Sequence, residues 1–170
     1  LQRLSDSLMS DHPILIVDLE ATCWDSSTSE TQPQTLQSME IIEIGCALAT
    51  RKGAVLDARS FLVRPVRQPQ LSDFCTQLTH ITQSMADAIA QMNVWLNNIG
   101  DDFIWGSWGN YDLHHLTTQC AIDGANSALL KHDHLNLKKL WRRTTRQRKR
   151  TSLAAALDFH DIEFAGQPHR

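Results

Sequence analysis

Ile14-Leu15-Ile16-Val17 is a continuous apolar run, three of its four residues β-branched, and it leads directly into Asp18-Leu19-Glu20. A run that short and that rich in β-branched residues reads as a strand buried on both faces. Two acids therefore end a core strand. Strand geometry puts residues i and i+2 on the same face, about 6.6 Å apart at Cα, so Asp18 and Glu20 can present both carboxylates to one cavity while Leu19 turns into the core. Carboxylates about 4 Å apart at an effective dielectric near 20 repel by roughly 4 kcal/mol. That is a large share of a small domain's stability, and a bound divalent cation would offset it. A lone D-x-E also has a plainer reading, as two acids at an ordinary strand end.

The rest of the chain supplies a setting for that pair. Residues 41–49 (IIEIGCALA) and 55–63 (VLDARSFLV) read as two further strands, with Arg51-Lys52-Gly53 as the turn of an antiparallel hairpin. Ser72 can cap a short helix through Leu78. Ser84 can cap a longer one whose Met85, Ile89, Met92 and Leu96 recur at helical spacing, a core stripe. Residues 102–105 (DFIW) read as a fourth strand, followed by a helix that Asn110 could cap and that turns Leu113, Leu116 and Cys120 inward. Asp112 falls in its first turn, where the helix dipole favours the anion and keeps it available as a hard oxygen ligand. Residues 134–141 and 152–159 read as two more helical segments, with Leu153, Ala156 and Leu157 on one face of the second. Residues 25–38 (DSSTSETQPQTLQS) hold one aliphatic residue and read as a mobile loop. The order is that of an α/β fold with early antiparallel strands and a later crossover return. In such sheets ligands gather at the strands' carboxyl ends, where Asp18, Glu20 and Asp112 all fall.

Composition narrows the function classes. At 170 residues, 42% hydrophobic and 21% charged, the chain has the makeup of one ordinary globular domain. Cys23, Cys46, Cys75 and Cys120 are far apart, with no zinc-ligand spacing, so the expectation is free thiols in a reducing compartment. No secretory leader and no apolar stretch long enough to span a bilayer is visible, so the expected location is the cytoplasm, with no membrane partner. The net charge of −3 conceals a cluster: Lys138, Lys139, Arg142, Arg143, Arg146, Arg148, Lys149 and Arg150 are half of the 16 basic residues. Such a cluster can meet phosphates or form a solvated helix face.

Six segments, in order and over nearly the whole chain, carry a resemblance to a known family. They are IVDLEATC (16–23), EIIEIG (40–45), LSDFCTQLTHITQ (71–83), WGNYDLHHL (108–116), NLK (136–138) and LAAALDFHDIEFAGQPHR (153–170). Together they resemble the DEDD exonuclease superfamily in its His-containing DEDDh branch. The nearest likeness is to the exoribonucleases that trim small interfering RNAs and the 3′ ends of histone messages or ribosomal RNA. The resemblance implies a ribonuclease H-like mixed sheet of about five strands with helices on both faces. It also implies a metal-dependent 3′→5′ exonuclease that releases nucleoside 5′-monophosphates from RNA 3′ ends with two Mg²⁺ or Mn²⁺ ions.

Position by position, the resemblance implies metal ligation by Asp18, Glu20 and Asp112, with Glu20 and His169 catalytic and His169 as the general base. The terminal nucleotide would be received by Glu20, Ala21, Thr22, Thr79, His80, Trp108 and His169, Trp108 being open to packing as well as to base stacking. His80 stands where the family usually has Gly. In the family the His is followed a few residues later by a last acidic ligand, and the sequence ends at Arg170, so residues 1–170 read as a single exonuclease domain cut just before that position. Glu40 and Glu43 read as partners of neighbouring backbone or basic groups, and His114 and His115 as solvent-facing or packed. The implied partner is single-stranded RNA or an RNA 3′ overhang, with the basic run 138–150 tracking its backbone. The alternatives are a DNA-directed exonuclease of the same superfamily, or a catalytically impaired RNA- or protein-binding module of the same fold.

Overall fold

The computed structural model describes residues 12–23, 33–67, 81–149 and 151–163. Five strands, β1 (Ile14–Ala21), β2 (Ile41–Ala49), β3 (Val55–Leu62), β4 (Ile104–Ser107) and β5 (His134–Asn136), form one sheet in the order β3-β2-β1-β4-β5. β1–β2 and β2–β3 pair antiparallel, β1–β4 and β4–β5 parallel. The hairpin between β2 and β3 closes as expected. Thr50 N–H bonds to Ala54 carbonyl at 2.8 Å, and Gly53 takes the positive φ of 89° that the turn requires.

The parallel return from β3 to β4 needs a crossover, and α1 (Met85–Ile99) supplies it. Ser84 starts it with a capping box, its hydroxyl accepting from Asp87 N–H while the Asp87 carboxylate accepts from Ser84 N–H. Met85, Ile89, Met92 and Leu96 are buried as the periodicity predicts, with Ala88 and Trp95 beside them. α2 (Tyr111–Asp123) follows β4 and adds Leu116 and Cys120 to the same core, where Leu15, Val17, Leu19 and Ile44 meet them. α3 (Leu137–Thr144) and α4 (Leu153–Asp158) complete the described α-helices, and a short 3-10 helix spans Ala128–Lys131.

Four expectations change. β1 is buried on one face only: Leu15, Val17 and Leu19 are inside, whereas Ile16 is 41% exposed. The reason is that α1 and α2 pack against the face of Leu15, Val17 and Leu19, whereas α3 meets the sheet through Leu137 against Gly106, the β4 partner of Ile16. β4 lies two residues later than predicted, because its pairing with β1 aligns Ile14 with Ile104 and Ile16 with Gly106. Residues 134–136 are a strand and not the start of a helix, since they pair with Trp105 to Ser107 at the open side of β4. Asn136 then caps α3, its carbonyl oxygen accepting from Lys139 N–H at 2.8 Å. In α4 only Ala156 is buried and Leu153 is 42% exposed, so the predicted common apolar face is not formed. The expected helix 72–78 lies outside the described residues, and so does most of the expected loop 25–38. Its described part, 33–38, is a turn in which Ser38 Oγ–H donates to Pro33 carbonyl at 2.6 Å.

Gly106 sets how closely α3 approaches the sheet. A Cβ there would come within 2.6 Å of the Leu135 carbonyl oxygen and 3.1 Å of Leu137 Cγ. Only a residue without a side chain lets β5 and α3 close over β4 at the end where Asp112 lies.

Candidate active site

The alternation of β1 sends Asp18 and Glu20 to the face opposite Leu15, Val17 and Leu19, with Asp18 exposed and Glu20 half-buried. Asp18 pairs across the ladder with Gly45 and Glu20 with Glu43, and the register shifts between Glu20 and Ala21 where the strand ends. Opposed carboxylates at Glu20 and Glu43 would repel. Glu43 accepts the Ser60 hydroxyl proton.

Asp112 arrives from α2. It is 6% exposed, and its Oδ1 accepts the backbone N–H of Leu19 at 3.2 Å. Leu19 separates Asp18 from Glu20, so this bond brings the third acid up against the strand that carries the first two. All three offer carboxylate oxygen, a donor set that suits Mg²⁺ or Mn²⁺ and not a thiophilic ion. Among the described residues no three His, Cys, Asp or Glu side chains stand close enough to hold a metal ion by themselves. His169, Thr79 and His80 lie outside the described residues.

Two neighbours of the acids carry no signal in the sequence beyond their position. Burial raises the Tyr111 phenol above its ordinary pKa, and the carboxylates of Asp112 and Glu20 raise it further, so one ring senses both acids. His134, on β5, shares a 2.9 Å hydrogen bond between its Nε2 and the buried Ser107 hydroxyl. Burial lowers its pKa, Asp112 opposes that shift and His114 adds to it. Asn110, predicted as a cap, makes no cap bond. Its Oδ1 accepts from Asn136 Nδ2 at 2.6 Å, which ties the start of α2 to the start of α3.

The residues after Glu20 serve a brace. Thr22 is buried, its N–H bonds to the Glu40 carbonyl at 2.8 Å, and its hydroxyl accepts the Glu40 N–H at 2.9 Å. The Glu40 side chain, 3% exposed, then accepts Val66 N–H at 2.9 Å and Arg67 N–H at 2.8 Å. Arg67 completes the link with its guanidinium 3.6 Å from Glu40 and 3.0 Å from Asp123. Glu40 and Glu43 thus pair with backbone, basic and hydroxyl groups. His115 is fully buried against the Met39 carbonyl, as a packed residue, and His114 is exposed. Trp108 is half-buried, 6.0 Å between ring centroids from Trp141, and its indole N–H is buried without a hydrogen-bond partner among the described residues.

Comparison with known proteins gives the chain a family. The family model for RNase_T, described as exonuclease, matches residues 15–170. The chain is 25% identical over 181 residues to the 3′-5′ exonuclease Snipper of Drosophila melanogaster, covering 92% of this chain and 63% of that protein. It is 26% identical over 184 residues to ERI1 exoribonuclease 2 of Xenopus laevis, covering 92% of this chain and 26% of that one. The chain therefore spans about a quarter to two thirds of these relatives. Among solved structures, the nuclease domain of 3′hExo, a DEDDh family member bound to rAMP, superposes with a TM-score of 0.75 at 25% identity, over 95% of this chain and 84% of that one. A structure of histone mRNA stem-loop recognition by 3′-exonuclease superposes with a TM-score of 0.73 at 24% identity, over 98% of this chain and 62% of that one. The mixed five-stranded sheet is the ribonuclease H-like fold of these nuclease domains, and the chain belongs to the RNase_T exonuclease family.

Proposed function

We propose that the chain is the catalytic part of a metal-dependent exonuclease that removes nucleoside 5′-monophosphates from RNA 3′ ends. The observation that carries this reading is the Leu19–Asp112 bond, which anchors the α2 carboxylate on the strand that carries Asp18 and Glu20. RNA is favoured over DNA because the ERI1 relatives are exoribonucleases and the 3′hExo nuclease domain was captured with rAMP.

In this reading Asp18, Glu20 and Asp112 would hold two Mg²⁺ or Mn²⁺ ions, which would supply charge stabilisation at the scissile phosphate and lower the pKa of the attacking water. Glu20 and His169 are the catalytic side chains. His169 takes the water's proton, the water oxygen bonds to phosphorus, and the bond to the 3′ oxygen of the preceding nucleotide breaks. That leaves a nucleoside 5′-monophosphate, and the departing 3′ oxygen takes a proton from solvent to become the new 3′ hydroxyl. Ala21, Thr22, Thr79, His80 and Trp108 receive the terminal nucleotide, Thr22 through the chain position that its bonds to Glu40 fix. The basic face of α3 follows the strand's backbone. Buried Cys46 and Cys120, with thiol pKa values raised to about 12 and about 11, are inert as nucleophiles, and these free thiols support a reducing location such as the cytoplasm.

The test is a labelled single-stranded oligoribonucleotide, with a matched deoxyribonucleotide, incubated with the protein and Mg²⁺ or Mn²⁺. Mononucleotides should appear progressively from the 3′ end, faster from RNA, and a blocked 3′ hydroxyl should slow them. Internal fragments alone, or equal activity in excess chelator, would refute the mechanism.

A further inference from the structure

We propose that Phe159, held edge-on by Trp141 beside the basic face of α3, is a stacking platform for a base of the strand upstream of the 3′ end. The proposal deepens the exonuclease reading and rests on it for the identity and direction of the strand.

Trp108, four residues before Asp112, begins a row of rings. Its centroid lies 6.0 Å from Trp141, and Trp141 in turn lies 5.7 Å from Phe159 with the ring planes perpendicular. The Trp141 indole N–H donates to His160 Nε2 at 2.9 Å, which fixes the middle ring. The row ends at the surface, where Phe159 is 52% exposed. A single exposed apolar residue is ordinary in a folded protein. Phe159 differs because the ring that holds it belongs to a strongly basic helix.

Residues 137–149 contain seven Lys and Arg and no Asp or Glu. Among the described residues none of those seven takes part in an ion pair, whereas Arg59 and Arg67 elsewhere are paired with acids. Lys138, Trp141 and Arg142 sit at helical spacings of three and four, so cation and aromatic share one side of α3. Unneutralised cations beside fixed π-faces are the combination by which proteins hold single-stranded nucleic acid with little regard for sequence. The Asn110–Asn136 bond keeps this helix at a fixed distance from the helix of Asp112. A strand whose 3′ end lies at the acids therefore has a continuous path of rings and cations leading away from them. Exposed Leu153 and Ile162 would also suit a protein contact, and Asp158, Asp161 and Glu163 flank Phe159, but the Lys and Arg of residues 137–149 on the Trp141 side of the ring favour a polyanion.

The test uses Phe159→Ala and Phe159→Trp, each first required to match the wild type in urea midpoint. Binding of fluorescent oligoribonucleotides of increasing length is measured in chelator, where no hydrolysis occurs. Hydrolysis of a single-nucleotide 5′-phosphate ester, which has no upstream base, is measured with Mg²⁺ or Mn²⁺. Phe159→Ala should weaken binding roughly tenfold, and only for strands long enough to reach the platform, with ester hydrolysis unchanged and Phe159→Trp restoring affinity. Equal affinity of wild type and Phe159→Ala at every length would overturn the platform, as would a changed sedimentation coefficient without any length-dependent loss, which would mark a contact between protein copies. Absence of ester hydrolysis in the wild type would count against the exonuclease reading alone, because the binding measurement stands apart from it.

Discussion

The backbone N–H of Leu19 donates to Asp112 Oδ1 at 3.2 Å, a bond across 93 residues of sequence that joins the first strand to the first turn of α2. It gives Asp112 two separable duties, one to the fold and one to chemistry. Asp112→Asn keeps an oxygen that can accept from Leu19 while removing the charge. Asp112→Ala leaves the buried Leu19 N–H without a partner, at a cost of about 1–3 kcal/mol. Both variants should lower turnover by roughly a hundredfold or more, since each removes an anionic ligand. Only the alanine variant should also unfold at clearly lower urea. Equal stability of the two, measured by chemical denaturation, would show that the bond carries no stability.

Glu40 should be a stability residue and not a catalytic one. Its carboxylate accepts two backbone N–H groups at 2.9 and 2.8 Å and faces Arg67. Val66 and Arg67 are exposed, so water can replace part of what is lost. Glu40→Ala should therefore cost about 2 kcal/mol, and Glu40→Gln, which keeps an acceptor, about half that. The check is the urea midpoint at constant m-value, together with an affinity for mononucleotide product that stays within a factor of about two.

What the sequence made legible follows the range over which each signal acts. β2 was readable to the residue because a β-branched apolar run ends at a turn that requires glycine. α1 was readable because its cap and its apolar stripe are local. β5 was hidden, since three residues show no periodicity and become a strand only by pairing with β4. The open face of β1 was hidden for a related reason: continuous apolarity cannot tell which side a helix will cover. At the site, the three acids were visible as motif positions, but the bond that seats Asp112 was not. Tyr111 and His134 were missed because their relation to Asp112 exists only in three dimensions, although Tyr111 directly precedes it.

Acid should weaken the fold through His115. Burial lowers its pKa from the ordinary value near 6.5, and the Met39 carbonyl and Asp112 only partly oppose that. The carbonyl accepts a hydrogen bond from Nε2–H, and Nδ1 has no hydrogen-bond partner among the described residues, so a second proton would be buried unpaired. A base with a lowered folded pKa binds fewer protons folded than unfolded, so its stability is complete above pH 6.5 and falls as pH drops below it. His134, shifted in the same direction by burial, adds to the effect. Tm measured at pH 7.5, 6.5 and 5.5 should decline at the acid end in the wild type and decline less in His115→Gln, whatever the variant's offset at neutral pH. Parallel curves would locate the proton uptake elsewhere.

The basic helix offers a prediction that separates a backbone track from a solvated surface. Lys139 and Arg143 are exposed on α3, and neither is in an ion pair among the described residues. A cation that neutralises a phosphate of a single strand releases condensed counterion, and each such contact contributes about −0.7 to the slope of log K against log salt. Lys139→Ala with Arg143→Ala should therefore make that slope shallower by about 1.4 if both meet phosphates, weaken strand binding most at low salt, and leave single-nucleotide ester hydrolysis unaffected. Arg142 is the poorer choice, because its Nη2 already donates to the Arg148 carbonyl at 2.7 Å and its loss would disturb the turn after α3. A solvated helix face would lose these two charges with no change in slope, and long-range attraction alone would lower the association rate while leaving the dissociation rate fixed. The slope and the dissociation rate, taken together over a series of salt concentrations, therefore distinguish direct phosphate contact from either alternative.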